Sequence, residues 1–133
     1  VIGAVLVTHL SIGEALCESL QVIAGRCEGV GTVSIKPNEE NETVLERIRV
    51  AVEESNDGSG VIIFTDMFGG TPSNLSLTIY QEGVVEVLTG VNLPMLVKYY
   101  NYRESRSLGE LAVLVKEAGK GAIAMASDYR TEA

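Results

Sequence analysis

The sequence holds one histidine and no tryptophan, with only two cysteines and three prolines among 133 residues. A single histidine cannot supply an ordinary zinc set. Cys17 and Cys27 stand ten positions apart and make no C-x-x-C pair, so neither a zinc ribbon nor a redox motif is present. Nothing implies disulfides, and Cys17, within a helical pattern, is expected to pack as a small apolar side chain. Aromatic residues make up 5% of the chain, so the core must be built from Val, Ile, Leu and Ala. Basic residues are outnumbered eighteen to ten, for a net charge of −8. That surface argues against DNA, RNA or anionic lipid as partners and suits a basic protein, although most such charges simply keep a protein soluble. No apolar run reaches the length that spans a bilayer. The first residues lack the basic start of a signal peptide. A cytoplasmic protein is expected.

What is present is an alternation of two patterns. Residues 2–8 read as a buried strand, and VGTVSI (30–35), VIIFTD (61–66) and VVEVLT (84–89) as three more. The third is apolar almost throughout, as in a sheet covered on both faces. Between them lie helical spacings. In SIGEALCESLQVIAG, Ile12, Leu16, Leu20 and Ile23 share a face, with Ser11 and Glu14 placed as a capping box. In NETVLERIRVAVEES, Val44, Leu45, Ile48 and Val52 do the same. Thr71 suits an N-cap with Pro72 as the first helical residue. A short helix is expected near Pro94, and Ser107 with Glu110 opens another that runs to about Ala118. AIAMAS (122–127) reads as a short strand and DYRTEA as a frayed end. The 133 residues suit one domain, with no repeat, low-complexity stretch or linker. The fold class is α/β with a mostly parallel sheet.

In such sheets, sites form beyond the C-terminal ends of the strands. His9 ends the first strand, Asp66 ends the third, and Gly90-Val91-Asn92 follows the fourth. If the first and third strands are neighbours, His9 and Asp66 face each other. A carboxylate accepting from one imidazole N–H fixes the tautomer and leaves the other nitrogen nucleophilic. Gly69, Gly70 and Thr71 at a helix start offer backbone N–H groups and a hydroxyl to an anion. Together these features suggest a phosphohistidine site that needs no metal. Taken singly, each has a plainer use: a histidine paired with backbone or solvent, a turn-capping aspartate, a helix entry. Pattern alone leaves the two readings level.

The segments TH, DMFGGTPSN and GVNLPML, in this order after the first, third and fourth strands, resemble the mannose-type (mannose/fructose/sorbose) enzyme IIA domain of the bacterial phosphoenolpyruvate-dependent sugar phosphotransferase system. The resemblance covers essentially the whole chain. It implies a phosphoryl relay in which the phosphocarrier HPr donates to His9 and a separate IIB protein accepts. Asp66 would orient the imidazole, and Gly69, Gly70 and Thr71 would bind the phosphoryl group. Thr8 and Ser11 are secondary donor candidates, Phe68 stands where many members have Trp, and Asn92 lies in the matching G-V-N segment. No cofactor is implied, and membrane association would be peripheral to a permease complex at most. The resemblance also implies strand order 2-1-3-4 and an antiparallel fifth strand exchanged in a homodimer. AIAMAS fits that strand, with Gly119 and Gly121 as its hinge. Rival readings are a phosphotransfer subunit that feeds dihydroxyacetone kinase, a regulator whose binding depends on the state of His9, and a histidine phosphatase or mutase. The last lacks the arginines and second histidine usual beside such a site.

Overall fold

The computed structural model describes residues 1–129. Its elements alternate along the chain: β1 (Gly3–His9), α1 (Ile12–Ala24), β2 (Val30–Ile35), α2 (Asn41–Ser55), β3 (Val61–Thr65), α3 (Thr71–Leu77), β4 (Val85–Thr89), α4 (Leu93–Tyr102) and α5 (Leu108–Gly121). A short 3₁₀ turn covers Ala126–Tyr129. The four strands form one parallel sheet in the order β2-β1-β3-β4, with helices on both faces. This is the order that the resemblance implies.

Two cores explain why β1 and β3 are apolar on both faces over Ala4–Val7 and Val61–Phe64. Side chains alternate across a strand. Ala4 and Leu6 of β1 and Ile62 and Phe64 of β3 pack with Leu20, Leu96, Tyr99, Leu111 and Val115 on the α1–α4–α5 face. Val5, Val7, Val61 and Ile63 pack with Val44, Ile48 and Val52 of α2 on the other. The largest buried side chain, Tyr99, crosses Phe64 edge-on at 5.8 Å and donates its hydroxyl to the Ile2 carbonyl at 2.6 Å. Cys17 and Cys27 are free and half-buried against the first core. Burial, reinforced by the neighbouring Cys27, pushes the Cys17 thiol up to about 12, which keeps it protonated and unreactive.

Several local expectations shift. The Ser107–Glu110 capping box is formed. The Ser11–Glu14 box is not: Ser11 makes no side-chain cap bond, and Glu14 instead accepts from the Ser34 hydroxyl at 2.8 Å. Ile12 and Ile23 point outward at 45% and 57% exposure, so Leu16 and Leu20 alone of that face turn toward the core. Gly70, not Thr71, is the N-cap of α3. AIAMAS is not a strand among the described residues. Its first residue, Ala122, is the C-cap of α5, and its end enters the 3₁₀ turn. A strand needs a ladder, and this segment pairs with no strand among the described residues. Nor is Gly119 a hinge. It is buried in α5, where a Cβ would lie 2.5 Å from Met95 Cγ. The missing side chain leaves room for Met95 of α4. The expected frayed end lies partly outside the described residues.

Candidate active site

His9 is the last residue of β1, and strand alternation sends it to the α2–α3 side of the sheet. Thr8, one position earlier, points the other way. Its buried hydroxyl accepts the Gly13 N–H at 2.8 Å and clamps the start of α1. Thr8 therefore serves the β1–α1 turn and is not open to an incoming group. After His9 the chain leaves the strand abruptly: Leu10 adopts a left-handed φ of 47°, and its N–H bonds to the Ile35 carbonyl at 2.9 Å. Such a φ is unusual outside glycine. It releases the chain from β1 into α1 immediately beside the histidine.

Because β1 and β3 are paired, with Val7 opposite Thr65, the residue after Thr65 arrives beside His9. Asp66 Oδ2 accepts the His9 backbone N–H at 2.9 Å and lies 2.7 Å from ring Nδ1, a contact between residues 57 positions apart. Its Oδ1 accepts the Met67 N–H at 3.1 Å. Burial pushes the Asp66 carboxyl up, but the backbone and ring donors of His9 outweigh it and hold the group below the usual aspartate range. A carboxylate at Nδ1 selects the Nδ1–H tautomer of the neutral ring and leaves the Nε2 lone pair free. The side chain of Asp66 is only 10% exposed, whereas that of His9 is 44% exposed. The orienting group is thus sheltered and the free nitrogen open.

The loop that carries Asp66 then bends back over the same ring. Gly69 has a φ of 91°, a conformation that favours glycine. Gly70 has an ordinary φ of −89°, yet a Cβ there would lie 2.7 Å from His9 Cε1 and 3.2 Å from Nε2. Its missing side chain is the space beside the free nitrogen. Thr71 is exposed and opens α3, with Pro72 behind it. Beneath the loop, the buried Ser73 hydroxyl donates to the Met67 carbonyl and lies 2.6 Å from Thr65 Oγ1. Around His9, Leu10, Met67 and Phe68 are 55%, 56% and 72% exposed. Ser11 is also exposed.

Asn92 has a different task. Its side chain accepts the Met95 N–H at 3.1 Å, capping α4, and donates to the Gly119 carbonyl of α5 at 3.2 Å. It ties two helices together. Sequence reading did not single out Leu10, Met67 or Ser73; only the three-dimensional turn gives them their places. Among the described residues, no group of three His, Cys, Asp or Glu side chains could hold a metal ion.

The mannose-type IIA family model, described as the PTS system fructose IIA component, matches residues 3–116. The chain belongs to this family. It is 32% identical over 121 residues to the mannose-specific EIIAB component of Escherichia coli K12, which covers 90% of this chain but 38% of that protein. This IIA chain therefore spans well under half the length of that relative. It is 29% identical over 108 residues to the sorbose-specific EIIA component of Lacticaseibacillus casei, covering 80% and 78% of the two chains. Its fold superposes on a phosphotransferase system EIIA component from Streptococcus agalactiae with a TM-score of 0.87 at 26% identity, covering 96% and 99%. The IIA family carries a general phosphotransferase role. No helix among the described residues is long and apolar enough to cross a membrane.

Proposed function

We propose that this IIA chain is a cytoplasmic phosphohistidine carrier. Phospho-HPr would give its phosphoryl group to Nε2 of His9, and a IIB domain, on this or another polypeptide, would take it. The carrying observation is the occupation of Nδ1 by Asp66, which leaves Nε2 as the nucleophile, facing the open space at Gly70. In the forward step the Nε2 lone pair forms the new N–P bond as the N–P bond to the HPr histidine breaks. That bond's electron pair returns to the donor ring. The His9 ring keeps its Nδ1 proton and becomes cationic, and the Asp66 carboxylate offsets that charge. No proton has to leave. Positioning and charge stabilisation supply the catalysis. Backbone N–H groups at Gly69, Gly70 and Thr71 would hold the phosphoryl oxygens, and Ser11 stands near enough in sequence to add a hydroxyl. Leu10, Met67 and Phe68 supply an apolar rim for a docking protein, and the acidic surface favours a basic one.

The experiment is intact-protein mass spectrometry after incubation with phosphoenolpyruvate, enzyme I and HPr. Wild type should gain one acid-labile phosphate, and His9→Ala should gain none. Labelling of His9→Ala would overturn the assignment.

A homodimer belongs to the same proposal. The outer edge of β4, bridged among the described residues only at Val85 by Gln81, borders a groove of about 550 Å³ lined by Leu88, Met95, Val113 and Ile123, among others. The segment after α5 leaves Ile123 and Met125 exposed at 80% and 67%. A strand from a second copy would pair that edge and cover these side chains. Truncation after Gly121 should convert a dimer to a monomer in light scattering. A truncated protein that stays dimeric would remove the exchanged strand from the proposal.

A further inference from the structure

Asp66 at Nδ1 and Gly70 at the Cε1–Nε2 edge both belong to the loop between β3 and α3, so the ring is gripped at two points by one short segment. The middle of that segment is fixed from beneath. The Ser73 hydroxyl, with no solvent exposure, donates to the backbone carbonyl of Met67. Thr65 Oγ1, equally buried, lies 2.6 Å from Ser73 Oγ. A serine hydroxyl has one proton to give, and a carbonyl only accepts. Ser73 commits its proton to Met67, so Thr65 must be the donor to Ser73. The result is a directed chain from the Thr65 hydroxyl through the Ser73 hydroxyl to the Met67 carbonyl. It binds the end of β3 and the first turn of α3 to the residue that follows Asp66.

We infer that Ser73 is a positioning residue of this site: by pinning the Met67 carbonyl, its hydroxyl sets where Asp66 and Gly70 stand against the His9 ring. The inference rests on the reading of His9 as the phosphoryl acceptor. Ser73 acts through the loop; its own bonds go to Thr65 and Met67. Ser76, on the same helix and as deeply buried, provides the contrast, because its hydroxyl has no partner among the described residues. Two buried serines three positions apart thus separate loss of a hydroxyl in general from loss of this bond.

The test compares wild type, Ser73→Ala and Ser76→Ala in the full chain. Ring ¹⁵N NMR at about pH 8.5, where imidazoles are neutral, reads the tautomer directly. Wild type and Ser76→Ala should show Nδ1 protonated and Nε2 bare. Ser73→Ala should move both nitrogens toward the averaged values of a free ring. Its initial rate of labelling by phospho-HPr should fall roughly tenfold or more, as expected for a misplaced nucleophile. If Ser73→Ala does not fold, Thr65→Val against Thr65→Ser carries the test. The valine removes the donor to Ser73 and should shift the ring signals in the same direction by less, and the serine should restore them. Wild-type spectra and rate in Ser73→Ala, or an equal disturbance in Ser76→Ala, would overturn the inference. The spectra need no phosphoryl donor. If wild type takes no phosphate while Ser73→Ala still shifts the ring signals, the carrier reading fails and the positioning role stands.

Discussion

One oxygen of Asp66, Oδ2, meets both the backbone N–H and the ring Nδ1 of His9, at 2.9 and 2.7 Å. The first bond fixes the end of β1, and the second fixes the ring that hangs from it. A carboxylate that held only the ring would leave the strand end free to drift; this one sets the position and the tautomer together.

Asp66→Asn keeps the size of the side chain and removes its charge. The fold should survive, because the pair lies at the sheet's rim and not in either core. The cationic phosphorylated ring loses its counter-charge, and the tautomer is no longer imposed. Phosphoryl transfer from phospho-HPr should slow by about 100-fold. Rapid-quench labelling checks this, and a wild-type rate would remove Asp66 from the mechanism.

Gly69 and Gly70 should respond differently to alanine. At Gly69 there is open space but a φ of 91°, so the cost is conformational, about 1–3 kcal/mol in thermal unfolding. At Gly70 the backbone is ordinary, but the new methyl would strike His9 Cε1. The half-exposed ring can swing aside, so Gly70→Ala should lose little stability and most of its phosphoryl acceptance. Equal stability losses in the two variants would contradict this division.

The Asp66 carboxyl is held below the ordinary aspartate value of about 3.9 despite its burial. A depressed acid contributes stability above its unfolded value and loses it as pH falls through the folded value. The grip on His9 should therefore persist on acidification through the usual carboxylate range and fail only below it. The ¹³Cγ shift of Asp66, followed against pH, reads this directly. A midpoint at or above the ordinary value would contradict the sign.

Gly119→Ala probes the α4–α5 contact. A Cβ there would approach Met95 Cγ and Sδ to 2.5 and 2.7 Å, and Met95 is itself buried. Overpacking of this kind costs about 1–3 kcal/mol. The melting temperature should fall although alanine is the better helix former. Because Asn92 bonds the Gly119 carbonyl, the variant should also loosen the cap of α4, visible as faster amide exchange at Met95. A melting temperature at or above wild type would show that Met95 yields without cost.

Much of this protein is written along the chain. Strand β2 and helix α2 occupy the ranges that hydrophobic period predicts, and β3 differs by a single terminal residue. Those signals are local: runs of apolar residues and helical spacing. The contact between His9 and Asp66 was legible as well, since both stand at the ends of strands that pair side by side in a parallel sheet. Tertiary structure decided what depends on neighbours. The parity of β1 turned Thr8 into a clamp on Gly13 and left His9 for Asp66. The close approach of α4 and α5 made Asn92 a cap and Gly119 a packing contact, roles that neither the G-V-N segment nor the Gly119–Gly121 pair announces. The apolar segment after α5 is the clearest case. Its composition favours a strand, but a strand exists only where a second one supplies hydrogen bonds, and among the described residues this segment pairs with none.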